Sequence, residues 1–223
     1  MTSKIIIENL NTMMVKMMEN LGVKKYKIEI DGQSEAGDNY MGEVIFFRII
    51  SEDDKDVYHF VMKTAKRSEE FRNKIPVEKV YKRELFMYSE VFPYFRIFID
   101  EKNPDFEFDC LPKVYWMDTT PKQETLIFEN MKTKGYKLHD RRKPWNLEHS
   151  LFVMKYYGKL HALSFAIKDQ KPEMLDSLKK NLKSIIIYFH DINVKRFFEN
   201  PLNNIFELLK KAGRDDLVNK FGF

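Results

Sequence analysis

The chain of 223 residues can form one large domain or two small lobes, and it can bury a sizeable hydrophobic core. Its 38 basic and 34 acidic residues leave a net charge of only +4, so the composition does not indicate a nucleic-acid partner. No stretch approaches the roughly 18 uncharged apolar residues of a membrane span, which argues against a membrane partner. The single cysteine, Cys110, excludes an intrachain disulfide. Together with an apolar run at residues 5–7 that is too short for a signal sequence, it predicts a cytoplasmic protein.

The N-terminal region predicts an amphipathic helix followed by a strand. Apolar residues recur at helical spacing before Gly22, which is a typical helix stop. This stripe predicts core packing, although methionines also form adaptable binding surfaces. Its members are Leu10, Met13, Met14, Met17, Met18 and Leu21. Tyr26, Ile28 and Ile30 then alternate with charged residues, which predicts a half-buried first strand.

The segment from Gly37 to Val44 has the spacing of a nucleotide-binding loop. Its order is G-x-N-x-x-G-x-V, which is the kinase pattern G-x-G-x-x-G-x-V with Asn39 in place of the middle glycine. A glycine has no Cβ to keep backbone N–H groups away from a phosphate, so Gly37 and Gly42 predict a loop that covers phosphates. The alternative is an ordinary turn at a hairpin tip, for which two glycines also suffice.

A strand that ends in a lysine follows this loop. It runs from Val57 to Thr64 and contains Phe60-Val61-Met62-Lys63, which has the form of the kinase motif V-A-I-K. Lys63 would supply a positive charge to a phosphate, although a lysine at a strand end can also be merely solvated. Because residues two apart in a strand share a face, Val61 would line the nucleotide pocket beside Lys63, with Val44 as its neighbour.

The helix after this strand carries a candidate partner for Lys63. Pro76 suits its first turn, and Pro93 is predicted to end it. Glu84 falls on the apolar stripe, where a carboxylate is costly unless it is paired. Kinases pair the strand lysine with a glutamate on the next helix, so Glu84 is predicted to bind Lys63; the alternative is that it only flanks the stripe. The stripe consists of Val77, Val80, Tyr81, Tyr88 and Val91.

Two more strands complete an α+β architecture. They are predicted near Lys113 to Met117 and from Glu124 to Met131. A five-stranded antiparallel sheet with one helix inserted after the third strand is the small lobe of a protein kinase. We therefore place a kinase-like nucleotide-binding lobe at residues 1–131 and a hinge loop with a partial helical lobe at residues 132–223. Glu129 and Met131 would lie in the hinge.

The C-terminal part is predicted to be helical. Asn146 can cap a helix that continues through Ile167. His161 lies on the apolar face of this helix, which predicts a hydrogen-bonded core histidine. A second helix is predicted from Met174 to Phe189, and a third includes Ile205 to Leu209.

Eight short motifs occur in a characteristic order over about residues 35–165. They are Gly37-Asp38-Asn39-Tyr40, Phe60-Val61-Met62-Lys63-Thr64, Glu84-Leu85-Phe86-Met87-Tyr88, Ile127-Phe128-Glu129-Asn130-Met131, Gly135-Tyr136, Asp140-Arg141, Leu147-Glu148-His149 and Leu160-His161-Ala162-Leu163-Ser164. In these motifs the chain resembles the insect ecdysteroid-kinase-like family. The family is also described as CHK-kinase-like or juvenile-hormone-inducible, and it is related to choline and aminoglycoside kinases.

The resemblance implies ATP-dependent phosphorylation of a hydroxyl on a small molecule such as an ecdysteroid, with ATP and Mg²⁺ as cofactors. By motif, Lys63 would hold the nucleotide phosphates and Glu84 would orient Lys63. The loop from Gly37 to Gly42 would cover the phosphates. The backbone groups of Glu129 and Met131 would bind the adenine edge.

One feature of the family is not found. The chain has no catalytic loop of the form H-G-D-x-W-x-x-N, because His139-Asp140 and His190-Asp191 place the aspartate directly after the histidine. Phosphoryl transfer needs a carboxylate near the acceptor hydroxyl and oxygen ligands on the metal. We therefore expect an incomplete kinase chain, ending at Phe223, that is inactive alone and leaves apolar faces near Leu160 and Ile185 uncovered. The alternatives are a non-catalytic nucleotide-binding or interaction protein, and a globular α+β domain without a nucleotide site.

Overall fold

The computed structural model describes residues 13–34, 39–140, 142–182, 184 and 194–221 of the chain. In this part the protein is α+β, and five strands form one antiparallel sheet with the order β1-β2-β3-β5-β4. The strands are β1 (Tyr26–Gln33), β2 (Gly42–Ser51), β3 (Val57–Ala65), β4 (Val114–Asp118) and β5 (Thr125–Glu129). The predicted five-stranded antiparallel sheet is therefore confirmed.

One face of the sheet is covered by the first helix, α1, which is helical over residues 13–20. Alternation along β2 and β3 directs five side chains into this core, where they meet the methionine stripe of α1. The core residues are Met14, Met17, Met18, Ile45, Phe47, Ile49, Phe60 and Met62. Core packing of the described methionines is thus confirmed; Leu10 lies outside the described residues.

A long helical path connects β3 to β4. It consists of α2 (Glu69–Lys74), α3 (Val77–Phe86), a π-helical turn (Met87–Val91) and α4 (Phe92–Lys102). The expectation that Pro93 ends the helix is wrong. The N–H of Phe92 donates to the carbonyl of Met87, five residues back, and Pro93 follows in the first turn of α4. Because the hydrogen-bond register changes here, the missing N–H of Pro93 does not interrupt the helix.

In the described part of the chain, four α-helices follow β5. They are α5 (Leu147–Gln170), α6 (Pro172–Asn181), α7 (Val194–Lys211) and α8 (Asp215–Phe221). The predicted cap is confirmed, because Oδ1 of Asn146 accepts a hydrogen bond of 2.8 Å from the backbone N–H of His149. The helix expected from Met174 to Phe189 instead ends at Asn181, and residues 185–189 lie outside the described part.

Helix α5 buries only one side, on which Leu163 and Ile167 pack against α4 and α6. His161 is exposed, so its assignment to the core is wrong. The reason is geometric: two residues correspond to about 200° around a helix, which places His161 opposite Leu163. Large apolar side chains remain exposed along α5, which confirms the expected partly uncovered apolar surface around Leu160; they are Leu147, Leu151, Phe152, Met154, Tyr157 and Phe165. None of the helices described here combines the length and apolar character needed to cross a membrane.

Candidate nucleotide site

Lys63 and Glu84 form an ion pair between the sheet and α3. The Nζ atom of Lys63 lies 2.7 Å from Oε1 and 2.6 Å from Oε2 of Glu84, so both carboxylate oxygens accept from the same ammonium group. Helix α3 brings Glu84 to this position by burying Val77, Tyr81 and Leu85 beside the sheet. The structure thus brings together the two charged residues that the sequence predicts as partners.

The contribution of this pair is positional rather than energetic. Both side chains remain 29% exposed, and an ion pair in contact with water stabilises a fold by only about 0–1 kcal/mol. Contact with both carboxylate oxygens nevertheless fixes the direction of a flexible lysine. The pair therefore holds the ammonium group of Lys63 in one place between β3 and α3. Kinases pair a strand lysine with a helix glutamate in the same way.

Tyr81 lies directly beneath this lysine. The Nζ atom of Lys63 is 5.5 Å from the centre of the Tyr81 ring, within the range of a cation–π contact. Burial raises the pKa of Tyr81 well above its usual value, and the negative charge of Glu84 raises it further. The hydroxyl therefore stays protonated and neutral at physiological pH. The sequence pattern predicted Tyr81 only as a member of the apolar stripe and did not indicate the buried hydroxyl.

Gly42 is a glycine because no side chain fits at its position. A Cβ atom there would lie 2.1 Å from the Tyr81 hydroxyl and 2.2 Å from the carbonyl oxygen of Thr64. In the same loop, Oδ1 of Asn39 accepts a hydrogen bond of 3.3 Å from the backbone N–H of Met41. Gly37 and Asp38 lie outside the described residues, so the structure places the predicted loop only from Asn39 onwards.

The predicted apolar walls lie on the sheet face that carries Lys63. Val44 is the β2 residue directly opposite Lys63, and Val61 precedes Lys63 by two positions on β3. Both valines are half-buried. Phe46, which sequence reasoning missed, lies opposite Val61 on the same face, and the Nζ atom of Lys132 stands 4.0 Å above its ring centre. The alternation along β2 could have identified Phe46, but nothing local indicates Lys132.

The hinge is a tight turn held by its own hydrogen bonds. Met131 begins a 3₁₀ turn, Met131–Lys134, and its carbonyl accepts a hydrogen bond of 3.2 Å from the N–H of Tyr136. Asn130 is 8% exposed; its N–H donates to the carbonyl of His59, and its Oδ1 accepts from the N–H of Lys132. These contacts make Asn130 a structural residue of the hinge, which its short polar side chain did not reveal in the sequence.

Glu129 uses its side chain to fasten the hinge to neighbouring segments. Its carboxylate accepts a hydrogen bond of 2.8 Å from the N–H of Lys113 and forms an ion pair with Lys134. Burial raises the pKa of Glu129, but the contacts with Lys134 and the Lys113 amide outweigh it, so the net pKa is lowered. That the backbone groups of Glu129 and Met131 bind adenine stays a prediction.

The two histidines of the family-like motifs, His149 and His161, are both exposed. His149 is exposed at the start of α5, where its Nδ1 lies 2.6 Å from Oδ1 of Asn146. The His190-Asp191 pair lies outside the described part. Within the described part, no group of three or more histidine, cysteine, aspartate or glutamate side chains is arranged to hold a metal ion.

A cavity of about 340 Å³ adjoins the other side of the hinge. It lies between α4, the segment before β4 and α5, and its walls include Phe92, Phe108, Met131, Tyr156 and Leu160. Met131 is the one residue that it shares with the predicted nucleotide site. Neither Lys63 nor Glu84 lines this cavity, so it does not coincide with the ion pair.

Comparison with known proteins supports the interpretation of these motifs. The model of the ecdysteroid kinase-like family matches residues 36–220. No curated protein and no solved structure gives a significant match. The family match spans most of the 223 residues and includes both members of the ion pair between β3 and α3. The chain therefore belongs to the ecdysteroid kinase-like family.

Proposed function

We propose that the protein binds ATP and forms the nucleotide-binding part of a phosphotransferase that acts on a hydroxyl of a small molecule, with an ecdysteroid as the substrate class that the family suggests. The observation that carries this proposal is the bidentate ion pair between Lys63 and Glu84. The kinase-like character follows from the family, whereas ATP binding and the acceptor are the proposal.

The residues around the Lys63–Glu84 pair fit a nucleoside triphosphate. Lys63 supplies a point charge for phosphate oxygens, and Gly42 permits a close approach of the loop backbone. Val44, Val61 and the ring of Phe46 form an apolar surface suited to a flat base. Adenine would then lie between this surface and the hinge backbone.

Kinase-like families generally use a magnesium ion together with ATP. Magnesium prefers carboxylate and water oxygens in octahedral geometry, and no cluster of such side chains is formed within the described part. We therefore assign no residue to the metal.

Thermal unfolding with and without ATP tests the proposal. A ligand that binds only the folded state stabilises it by RT ln(1 + [L]/Kd), about 2.7 kcal/mol at a hundredfold excess over Kd. We expect ATP to raise the Tm of the wild type, and Lys63→Met to abolish that rise because the phosphate charge is lost. Lys82→Met is the matched control: Lys82 belongs to the next helix, and its ion pair with Glu78 is half-exposed. An equal rise in Lys63→Met would contradict the assignment.

The alternative function is nucleotide binding or protein interaction without catalysis. It is favoured by the sequence, in which none of the five histidines begins an H-x-D element. Incubation of the 223-residue protein with labelled ATP and a panel of alcohols distinguishes the two functions. We expect ATP binding without phosphotransfer; turnover by the purified protein would refute the expectation that the chain is inactive alone.

Two further assignments remain proposals based on the sequence. The division into a nucleotide-binding lobe at residues 1–131 and a partial helical lobe at residues 132–223 follows from the order of the motifs. A cytoplasmic location follows from the single cysteine, Cys110, which is exposed and free.

A further inference from the structure

The apolar stripe of helix α5 continues beyond the part that packs against other helices. Val153, Tyr156, Leu160, Leu163 and Ile167 are spaced three and four residues apart, so they share one side of the helix. Leu163 and Ile167 are buried in the core with α4 and α6, whereas the first three residues line the cavity beside the hinge. The first half of the stripe therefore faces an open space instead of another helix.

The wall opposite α5 is held in place by the core. Phe92 and Phe108 line it, and the ring centre of each lies 6.4 Å from the ring centre of Phe95. Phe108 is only 7% exposed and Phe95 only 4%. Because the core fixes these rings, the cavity has its aromatic wall without a ligand. Its volume of about 340 Å³ lies at the lower end of the range for small-molecule sites.

Two adjacent polar residues, Asp109 and Cys110, line one part of the cavity. The Oδ1 atom of Asp109 accepts a hydrogen bond from the hydroxyl of Tyr156 at 3.4 Å, which is long for such a bond. The two oxygens of a carboxylate can accept about four hydrogen bonds in all. Asp109 therefore keeps the capacity to accept a further hydrogen bond from a ligand.

The charges beside the cavity disfavour an ionic ligand. The Nζ atom of Lys159 lies 5.3 Å from the ring centre of Tyr156 and donates a hydrogen bond of 2.7 Å to the carbonyl of Glu107. A cationic ligand would be repelled by this ammonium group, and an anionic ligand by the carboxylate of Asp109. An uncharged apolar ligand with a hydroxyl group avoids both repulsions and can donate to Asp109.

We propose that this cavity is a ligand site separate from the proposed nucleotide site, and that it binds an uncharged molecule with flat apolar rings and a hydroxyl group. The rings lie between the aromatic wall of Phe92 and Phe108 and the stripe of α5. The hydroxyl donates a hydrogen bond to the carboxylate of Asp109. This inference does not depend on ATP binding, because neither Lys63 nor Glu84 lines the cavity.

Calorimetric titration with 2-naphthol, a flat apolar compound with one hydroxyl group, tests the chemistry of the site. We expect saturable binding of one molecule per chain. Asp109→Ala should weaken this binding about fivefold, which is the contribution of one ordinary hydrogen bond. The same variant should bind 2-methylnaphthalene as the wild type does, because that compound has no hydroxyl group. An equal effect on both compounds, or no effect on 2-naphthol, would overturn the proposal.

Filling the cavity tests its position. Val153→Trp adds a large ring at the cavity wall, and we expect it to abolish the binding of 2-naphthol. Met154→Trp is the matched control, because Met154 is the next residue of α5, is 66% exposed and does not line the cavity. Cys110 is the single cysteine of the chain and is exposed, so its alkylation by iodoacetamide provides a second measurement. We expect 2-naphthol to slow this alkylation in the wild type and in Met154→Trp.

Two outcomes would assign the cavity differently. Equal binding of 2-naphthol to Val153→Trp and Met154→Trp would show adsorption to the exposed side of α5 and would refute the site. Slower alkylation of Cys110 at higher protein concentration, without 2-naphthol, would show that a second copy of the chain covers the cavity, and would refute it as well. All these measurements are made without ATP, so a failure here leaves the proposed nucleotide binding untouched, and the reverse also holds.

Discussion

The ion pair between Arg72 and Glu124 fastens helix α2 to the sheet. Nη2 of Arg72 lies 2.5 Å from Oε1 of Glu124, and Nη1 lies 3.1 Å from Oε2 and 3.1 Å from the carbonyl of Lys66. The hydrogen bonds from Arg72 to Glu124 raise the pKa of Arg72 above its usual value. The Glu124 side chain is completely buried, and that of Arg72 is 10% exposed. Water therefore has little access to either charged group.

This burial sets the expected cost of Arg72→Met. Removing one member of a buried pair leaves the other charge without compensation, which typically costs about 3–5 kcal/mol. For a chain of this length each kcal/mol lowers Tm by about 2–4 °C, so we expect a decrease of about 6–20 °C. The double variant Arg72→Met/Glu124→Gln leaves no charge uncompensated, and we expect it to recover part of the loss.

Calorimetric unfolding of the single and double variants measures both quantities. Lys74→Met is the control, because Lys74 lies on the same helix but its ion pair with Glu70 is largely exposed. We expect the control to change the free energy of unfolding by no more than about 0.5 kcal/mol. A loss in Arg72→Met no larger than in the control would refute the reasoning that burial makes this pair strong.

Three further predictions follow from the packing and the charges. Gly42→Ala places a Cβ against the backbone of Thr64 and should lower the free energy of unfolding by about 1–3 kcal/mol. Gly158 lies in open space within α5, so Gly158→Ala should raise the free energy of unfolding by about 0.5–1 kcal/mol. Urea unfolding of the two variants measures both changes. The net pKa of Glu129 lies below its ordinary value of 4.5, so its contribution to stability is present above that value and is lost as the pH falls through the lowered pKa. In Glu129→Gln this part of the acid dependence should be absent; an unchanged dependence would show that the contacts with Lys134 and Lys113 do not persist in solution. The exposed apolar side of α5 should cause self-association that depends on concentration, and Leu151→Lys with Phe165→Lys should reduce it in sedimentation measurements.

Sequence patterns predicted the sheet and the main ion pair because both depend on regular spacing. Alternation along β2 and β3 determines which side chains share a face, so spacing alone was enough to group Val44, Val61 and Lys63. The pairing of Lys63 with Glu84 followed from a carboxylate on an apolar helical stripe, where an unpaired charge is costly. The short connection between β3 and the helices that follow it then brings Lys63 and Glu84 together.

The predictions for Pro93 and His161 failed because each depended on a single residue rather than on a pattern. A proline usually ends a helix, but the π-helical turn before Pro93 changes the hydrogen-bond register at that point. A histidine among apolar residues suggests a core position, but only the side of α5 that carries Leu163 and Ile167 meets another helix. The side that is buried depends on the neighbouring elements, which local periodicity does not specify.

By itself, the sequence determined the α+β class, the family, the strand faces and the order of the candidate site residues, since these are recorded in periodicity and in spaced motifs. Only the tertiary structure decided that Tyr81 lies between Gly42 and Lys63, and that Arg72 reaches Glu124 across 52 positions of the chain. Such contacts join segments that are distant in sequence. They arise from the close packing of helices against the sheet, where differences of an ångström decide which polar groups are paired.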